Sequence, residues 1–323
     1  MTAPRVLVTG SSGYLGRLLV AELGARLGDA RLGAVVAADI RESEASALPR
    51  GVIFLKHDVR DDGLAQALTE HRISCVVHLA SIVTPPAGST REFEYAVDVG
   101  GTRRVLEACV AAGVRRIVVT SSGAAYGYHP DNPAWITEEA PLRGNEAFAY
   151  SWHKRLVEGM LADYRIRHPK LEQVVFRVGT ILGASVNNQI TALFQKPRLL
   201  AIRGSDSPFV FIHDRDMVQC LVRATDSAAT GIYNVAGDGA LTIDEIGRLL
   251  GKPVVHLPAW LLRGALAVLK PLGLTRYGPE QVEFLRYRPV LGNAKLKLEF
   301  GYAPALTSQE VFVLWRDARR RAG

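Results

Sequence analysis

The sequence predicts an α/β fold: a doubly wound parallel sheet with a smaller, mostly helical C-terminal lobe for the substrate. Three observations predict it. Short runs of β-branched and apolar residues alternate with longer helical patterns through the first half. The runs are apolar nearly throughout, as strands covered on both faces must be. A glycine-rich turn joins the first run to the first helical pattern, where such sheets take up a dinucleotide.

The elements follow in order. Residues 5–10, 34–39, 52–59, 75–81 and 116–122 read as buried strands, with helical patterns at 14–28, 61–72, 91–112 and 148–167. That succession means a parallel sheet with helices on both faces. Two further strands, 173–182 and 231–237, return late. Pro and Gly then become more frequent, and short helices fit 213–227, 242–250, 259–270 and 307–320. Residues 1–182 plus 208–237 are expected to form the dinucleotide-binding domain. Residues 183–207 plus 238–323 form the substrate-binding lobe, with a cleft between the two.

Composition narrows the partners. The 323 residues are 48% hydrophobic and 22% charged, an ordinary globular balance. The formal net charge is +7, but the Lys and Arg residues are spread along the chain. Their one cluster, Arg316, Arg319, Arg320 and Arg321, has no base-reading motif beside it, so no nucleic-acid partner is expected. Cys75, Cys109 and Cys220 lie far apart in apolar stretches. They predict core thiols, no metal site and a reducing compartment. The first strand begins almost at once, which argues against a signal peptide. No apolar run approaches the roughly 20 residues that span a bilayer. A cytoplasmic protein without an integral membrane segment is expected, acting on a small-molecule substrate.

The glycine turn is "TGSSGYLG" (9–16). Gly10 permits the tight turn, Gly13 lets a pyrophosphate approach the backbone, and Gly16 lets the helix pack closely on the strand. Ser12, Tyr14 and Leu15 lie between them, where helix N–H groups and dipole favour phosphates. Asp39 ends the second strand, 23 residues after Gly16. A carboxylate there accepts from both ribose hydroxyls and repels a 2′-phosphate, which favours NAD over NADP. Arg41, two residues on, is the feature that works against this preference. Three incidental glycines are the bland alternative, and the strand, helix and acid together argue against it. Asp58 is a candidate for the adenine amino group, with the Val59 backbone beside it. Leu79, Ala80 and Ser81 end the fourth strand and leave room for the cofactor. His78 reads as a packed strand residue.

Tyr150 and Lys154, in "YSWHK", share one helical face. A free tyrosine, with a pKa of about 10, is a poor base at neutral pH, and an adjacent ammonium stabilises its phenolate. The same lysine can hold the nicotinamide ribose. "TSSGAAYG" (120–127) ends the fifth strand at the carboxyl edge of the sheet, where ligands bind. Ser122 is the hydroxyl that orients a substrate oxygen towards Tyr150. Thr120 and Ser121 read as strand-end hydroxyls capping backbone.

In these motifs the chain resembles the extended short-chain dehydrogenase/reductase family, in its NAD-dependent epimerase/dehydratase group. "TGSSGYLG", Asp39, "HDV", "HLAS", "VDVGGT", "TSSGAAYG", "YSWHK", "FRVGTILG", "FVFIHDRDM" and "YNVAG" run in family order. The resemblance implies a Rossmann domain with a small C-terminal substrate domain. It implies Ser122 and Tyr150 on a substrate hydroxyl or carbonyl, with Lys154 aiding both tyrosine and NAD. It also implies a homodimer that pairs the helices at 91–112 and 148–167.

The chain departs from the family's pattern in ways that bear on the reaction. Gly123 and Ala124 stand where dehydratases carry an acidic pair. Thr180 and Ala184 replace the Asn and Pro usual in sugar-nucleotide epimerases, and Pro208 and Phe209 stand where a diphosphate grip is expected. Arg203 and Arg215 are possible substitutes. Asp98 replaces the Asn usual in "NVxGT". The segment 257–274 holds one Trp and seven Leu. It is expected in the core of the small lobe, with a pocket wall or a membrane-grazing helix as alternatives. The resulting expectation is a dehydrogenase or reductase of an apolar alcohol or ketone, with Ser122, Thr84, Thr180 and Arg177 touching substrate. A sugar-nucleotide 4-epimerase of the UDP-hexose type comes second, and a non-catalytic NAD-binding regulator third.

Overall fold

The computed structural model describes residues 3–28, 32–41, 48–86, 88–275 and 278–322. Seven parallel strands form the central sheet. They are β1 (Arg5–Thr9), β2 (Ala34–Asp39), β3 (Ile53–Lys56), β4 (Cys75–His78), β5 (Arg116–Ser122), β6 (Glu172–Val178) and, arriving late, Gly231–Val235. In space the order is β3-β2-β1-β4-β5-β6 and then Gly231–Val235. The winding reverses between β1 and β4, so a crevice opens at their carboxyl ends.

Alternation along each strand builds two cores. Val6 and Val8 of β1 point to one face, with Leu19, Leu23, Met217 and Leu221 from the helices Tyr14–Ala25 and Asp214–Asp226. Leu7 points to the other face, with Leu68, Leu106 and Leu161 from the helices Leu64–Glu70, Thr102–Ala111 and Ala149–Arg167. Strands covered on both faces are apolar nearly throughout, which is the pattern most of these runs carry. All three cysteines are buried free thiols, and burial pushes that of Cys75 up to about 12.

Two elements differ from the sequence reading. The expected strand 173–182 stops at Val178. Beyond Gly179, β7 (Thr180–Leu182) leaves the sheet and pairs instead with Phe211–His213. The expected helix 91–112 is one rod of three parts: Arg91–Tyr95, a π-helical turn Ala96–Gly101, and Thr102–Ala111.

A third apolar cluster, around Phe194, Phe209, Phe211, Phe312 and Trp315, lies outside the central sheet. Beside it Leu199–Ile202 pairs in parallel with Val254–Leu257. The segment 257–274 is not part of that core. Its helix, Ala259–Leu269, has no buried residue, and Trp260, Leu272 and Leu274 are 73%, 64% and 71% exposed. The core expectation for this segment is thus corrected: its composition is that of a core, but the short helix Gln281–Arg286 beside it leaves most of it exposed. No described helix is long and apolar enough to cross a membrane.

Candidate active site

The glycine turn is shaped by its neighbours. Gly10 has φ +68°, and a Cβ there would lie 2.7 Å from the backbone nitrogen of Ala80. A Cβ on Gly16 would lie 2.2 Å from the Gly10 carbonyl oxygen. Only glycine lets the end of β4 and the first helix close on the turn. Asp39 stands against that turn. Its buried carboxylate accepts the Ser12 N–H at 2.9 Å and the Arg41 N–H at 3.0 Å. The Arg41 side chain is largely exposed, 3.6 Å from the same carboxylate. These features leave a cradle open at a helix N-terminus, beside a fixed acid, which fits a dinucleotide.

The side chains of the other residues expected at the cofactor are engaged within the fold in different ways. The Tyr14 phenol donates to Asp214 and Leu15 packs on the core, so only their backbone is offered to phosphates. Asp58 is gripped by Arg60, whose guanidinium holds that carboxyl below the usual range. The Val59 side chain is buried against Gly101. The Leu79 N–H donates to the Thr9 carbonyl oxygen, and Ala80 and Ser81 continue to the crevice.

At the end of β5 the strand-end hydroxyls and the start of the helix Ala149–Arg167 are tied through Ala124. The Ser122 Oγ accepts the Ala124 N–H at 3.1 Å, and the Ser151 hydroxyl donates to the Ala124 carbonyl oxygen at 2.6 Å. Ala124 is therefore pinned from both sides, which holds the turn that carries Tyr150 beside the one after Ser122. One helical turn on, the buried Lys154 donates from Nζ to the Thr120 carbonyl oxygen at 3.0 Å. Its Nζ stands 5.5 Å from the centre of the Tyr150 ring. Ser121 points away and donates to Glu158.

A polar cluster behind Lys154 was not assigned from sequence. Asp98, on the π-helical turn, accepts from Ser81 Oγ at 2.9 Å, Ile82 N at 2.8 Å and His153 Nδ1 at 3.0 Å. His78 lies between Thr9 Oγ1 at 2.8 Å and Thr102 Oγ1 at 3.0 Å. Thr102 donates its own proton to the Asp98 carbonyl oxygen, so it accepts from His78 Nε2–H. Burial pushes the His78 pKa down to about 3, and the ring is neutral. A cavity of about 10 Å³, the size of one water, separates Asp98 from Lys154.

The substrate half needs corrections. Arg177 does not face the cleft. It is 4% exposed and pairs with Glu158 at 2.7 Å, the Tyr126 hydroxyl at 2.8 Å and the Glu138 carbonyl oxygen at 2.9 Å. A buried guanidinium must be matched by acceptors, and here all of them come from the fold. Thr84 is exposed in the loop after β4, and Thr180 is half-buried at the head of β7. Arg203 and Arg215 are exposed. Phe209 is core, as an apolar residue in that position must be.

The residue that sequence reasoning missed is Arg288. Its guanidinium lies 3.8 Å over the Phe209 ring and donates to Ser207 Oγ at 3.1 Å. No described acid pairs with it, and its buried Nε has no partner among the described residues. Burial draws its pKa down to about 9, offset only by Tyr128. A guanidinium stays charged at neutral pH, so this is a cation short of a counter-ion. Tyr128, whose ring meets Phe148 and Phe284 edge-on, lies within electrostatic reach of both Arg288 and Tyr150. In the sequence only the flanking aromatics Phe284 and Tyr287 hint at this, and such a run reads equally as the end of a surface helix.

Comparison with known proteins bears on the family and the fold. The model of the NAD dependent epimerase/dehydratase family matches residues 6–236. The structure of a UDP-glucose 4-epimerase from Thermus thermophilus in complex with NAD superposes with a TM-score of 0.72 at 26% identity, over 99% of this chain and 100% of its own. MoeE5 in complex with UDP-glucuronic acid and NAD shares the fold, with a TM-score of 0.74 at 22% identity, over 99% and 100% of the two chains. An uncharacterized protein of Mycobacterium tuberculosis is 25% identical over 310 residues, 95% of this chain and 82% of its own.

Proposed function

The chain belongs to the NAD dependent epimerase/dehydratase family, and from that premise we propose that it moves hydride between NAD and a secondary alcohol or ketone of an anionic substrate, of the sugar-nucleotide type. It is an NAD-dependent enzyme of that family. When bound, NAD supplies the hydride acceptor and donor. Ser122 orients the substrate oxygen, Tyr150 takes or gives its proton, and Lys154 steadies the phenolate and holds the nicotinamide ribose. Gly123 and Ala124 carry no acid, which supports oxidation, reduction or epimerisation over loss of water.

One observation carries the choice of substrate: Arg288 is a cation with no described acid, and both it and Tyr150 lie within electrostatic reach of Tyr128. An anionic group would satisfy it, with Phe209, Phe284 and Tyr128 flanking an apolar or planar part. The apolar-alcohol reading keeps that aromatic lining in its favour but loses the segment 257–274, which is exposed. The helices at 91–111 and 149–167 are the surfaces on which we expect two copies to pair.

The test is thermal shift of the NAD-loaded protein with UDP-glucose, UDP-galactose, a steroid and an aryl ketone. A UDP-hexose is expected to raise Tm by several degrees, and Arg288→Met to abolish that rise. A shift with the steroid or aryl ketone, and none with either UDP-hexose, would reverse the assignment.

A further inference from the structure

We propose that Asp98, oriented by His153, is the buried counter-charge of Lys154 and biases the bound nicotinamide towards its oxidised form. This rests on the reading above that Lys154 holds the nicotinamide ribose. Asp98 is a positioning residue here, acting through Lys154.

Asp98 is 3% exposed and His153 is 1% exposed. One carboxylate oxygen takes the Ser81 hydroxyl and the Ile82 N–H, and the other takes His153 Nδ1–H. A carboxylate with three donors stays ionised. Burial by itself would raise its pKa, but the His153 bond and the Lys154 charge outweigh this and leave it below the usual carboxylate value. His153 Nε2 has no partner among the described residues, and the ring meets Tyr95 edge-on. Its one polar contact among them is therefore Asp98, whose orientation it fixes.

The backbone is shaped for this contact. Asp98 sits in the single π-helical turn of its rod, and such turns recur at functional sites. It faces Lys154 across the water-sized cavity, whose remaining polar lining is His78, Ser81, Thr102 and Thr120. His78 is neutral, so Asp98 and Lys154 are the only charges among the described residues on these walls, and they cancel. An oxidised nicotinamide adds one positive charge, and a reduced one adds none. With an asparagine at position 98, Lys154 would meet the oxidised ring uncompensated. The aspartate removes that repulsion, and it does so only for the oxidised cofactor.

The experiment measures dissociation constants of the protein for NAD and NADH, by calorimetry and by nicotinamide fluorescence. Asp98→Asn is expected to weaken NAD about tenfold and NADH less than threefold. Lys154→Met is expected to move the ratio the opposite way, towards NAD, and it carries the test if Asp98→Asn does not fold. Equal weakening of both cofactors, or an unchanged ratio in both variants, overturns the proposal. Failure of the wild-type protein to bind either cofactor would instead overturn the reading of the site on which it rests.

Discussion

Tyr14 donates its phenol proton to Asp214 Oδ2 at 2.5 Å. The two meet over Gly183, where a Cβ would lie 1.8 Å from the same carboxylate oxygen. Tyr14 belongs to the glycine turn, and Asp214 opens the helix Asp214–Asp226. The bond thus ties the glycine turn to the start of the helix Asp214–Asp226. Burial and the Asp214 bond push the tyrosine pKa up to about 12, so it remains a donor at neutral pH. Tyr14→Phe is expected to cost about 1–2 kcal/mol in urea unfolding. An unchanged midpoint and slope would mean the bond contributes nothing to stability.

The position of Asp39 predicts cofactor choice. Its carboxylate already sits on the Ser12 and Arg41 N–H groups, where a ribose edge would lie. NAD is expected to bind at least about tenfold more tightly than NADP, a gap of about 1.4 kcal/mol. Asp39→Ser should narrow that gap. Equal affinities in the wild-type protein, by calorimetry, would refute the assignment.

Tyr150 is expected to be the acid and base. Tyr150→Phe should lower turnover by about 10²–10⁴-fold while leaving the NAD dissociation constant within about twofold. Retained turnover on a genuine substrate would remove Tyr150 from the mechanism.

His78 predicts a pH dependence of stability. Its folded pKa, about 3, lies below the ordinary value of about 6.5 because the ring is buried. Between those values the unfolded chain binds the proton and the folded protein does not. The contribution is complete above a pH of about 6.5 and is lost as pH falls towards about 3, by at most about 1.4 kcal/mol per pH unit. His78→Gln should flatten the curve of unfolding free energy against pH between about 4 and 6. Parallel curves for the two proteins would contradict the burial of a neutral ring.

The exposed helix makes a prediction about stability. Trp260→Ser should change the unfolding free energy by less than about 0.5 kcal/mol, since 73% of the residue is already in water. A loss near about 3 kcal/mol, the size seen for buried aromatics, would put this helix in a core.

Much of the fold is legible in the sequence because its signals are local. Strand positions follow from apolar runs that need no partner to be recognised, as in Val6, Leu7 and Val8. The cradle follows from glycine positions where sterics within a few residues forbid a side chain, and Asp39 from its place at a strand end. Where a signal depends on which distant segment packs against it, the sequence is silent or misleading. Arg177 reads as a substrate contact in sequence because its acceptors, Glu158 and Tyr126, lie far along the chain. The segment 257–274 reads as core because composition does not say whether another element covers it.

The sequence by itself determined the sheet, the shape of the glycine turn and the family, through short-range sterics and the periodicities of strand and helix. Only the tertiary structure decided that Asp98 meets His153 across 55 residues, and that Arg288 is left with no described acid beside Phe209. The physical reason is that burial and charge compensation are properties of neighbours in space. Which neighbours those are is set by packing, and it is not written in the spacing of any one segment.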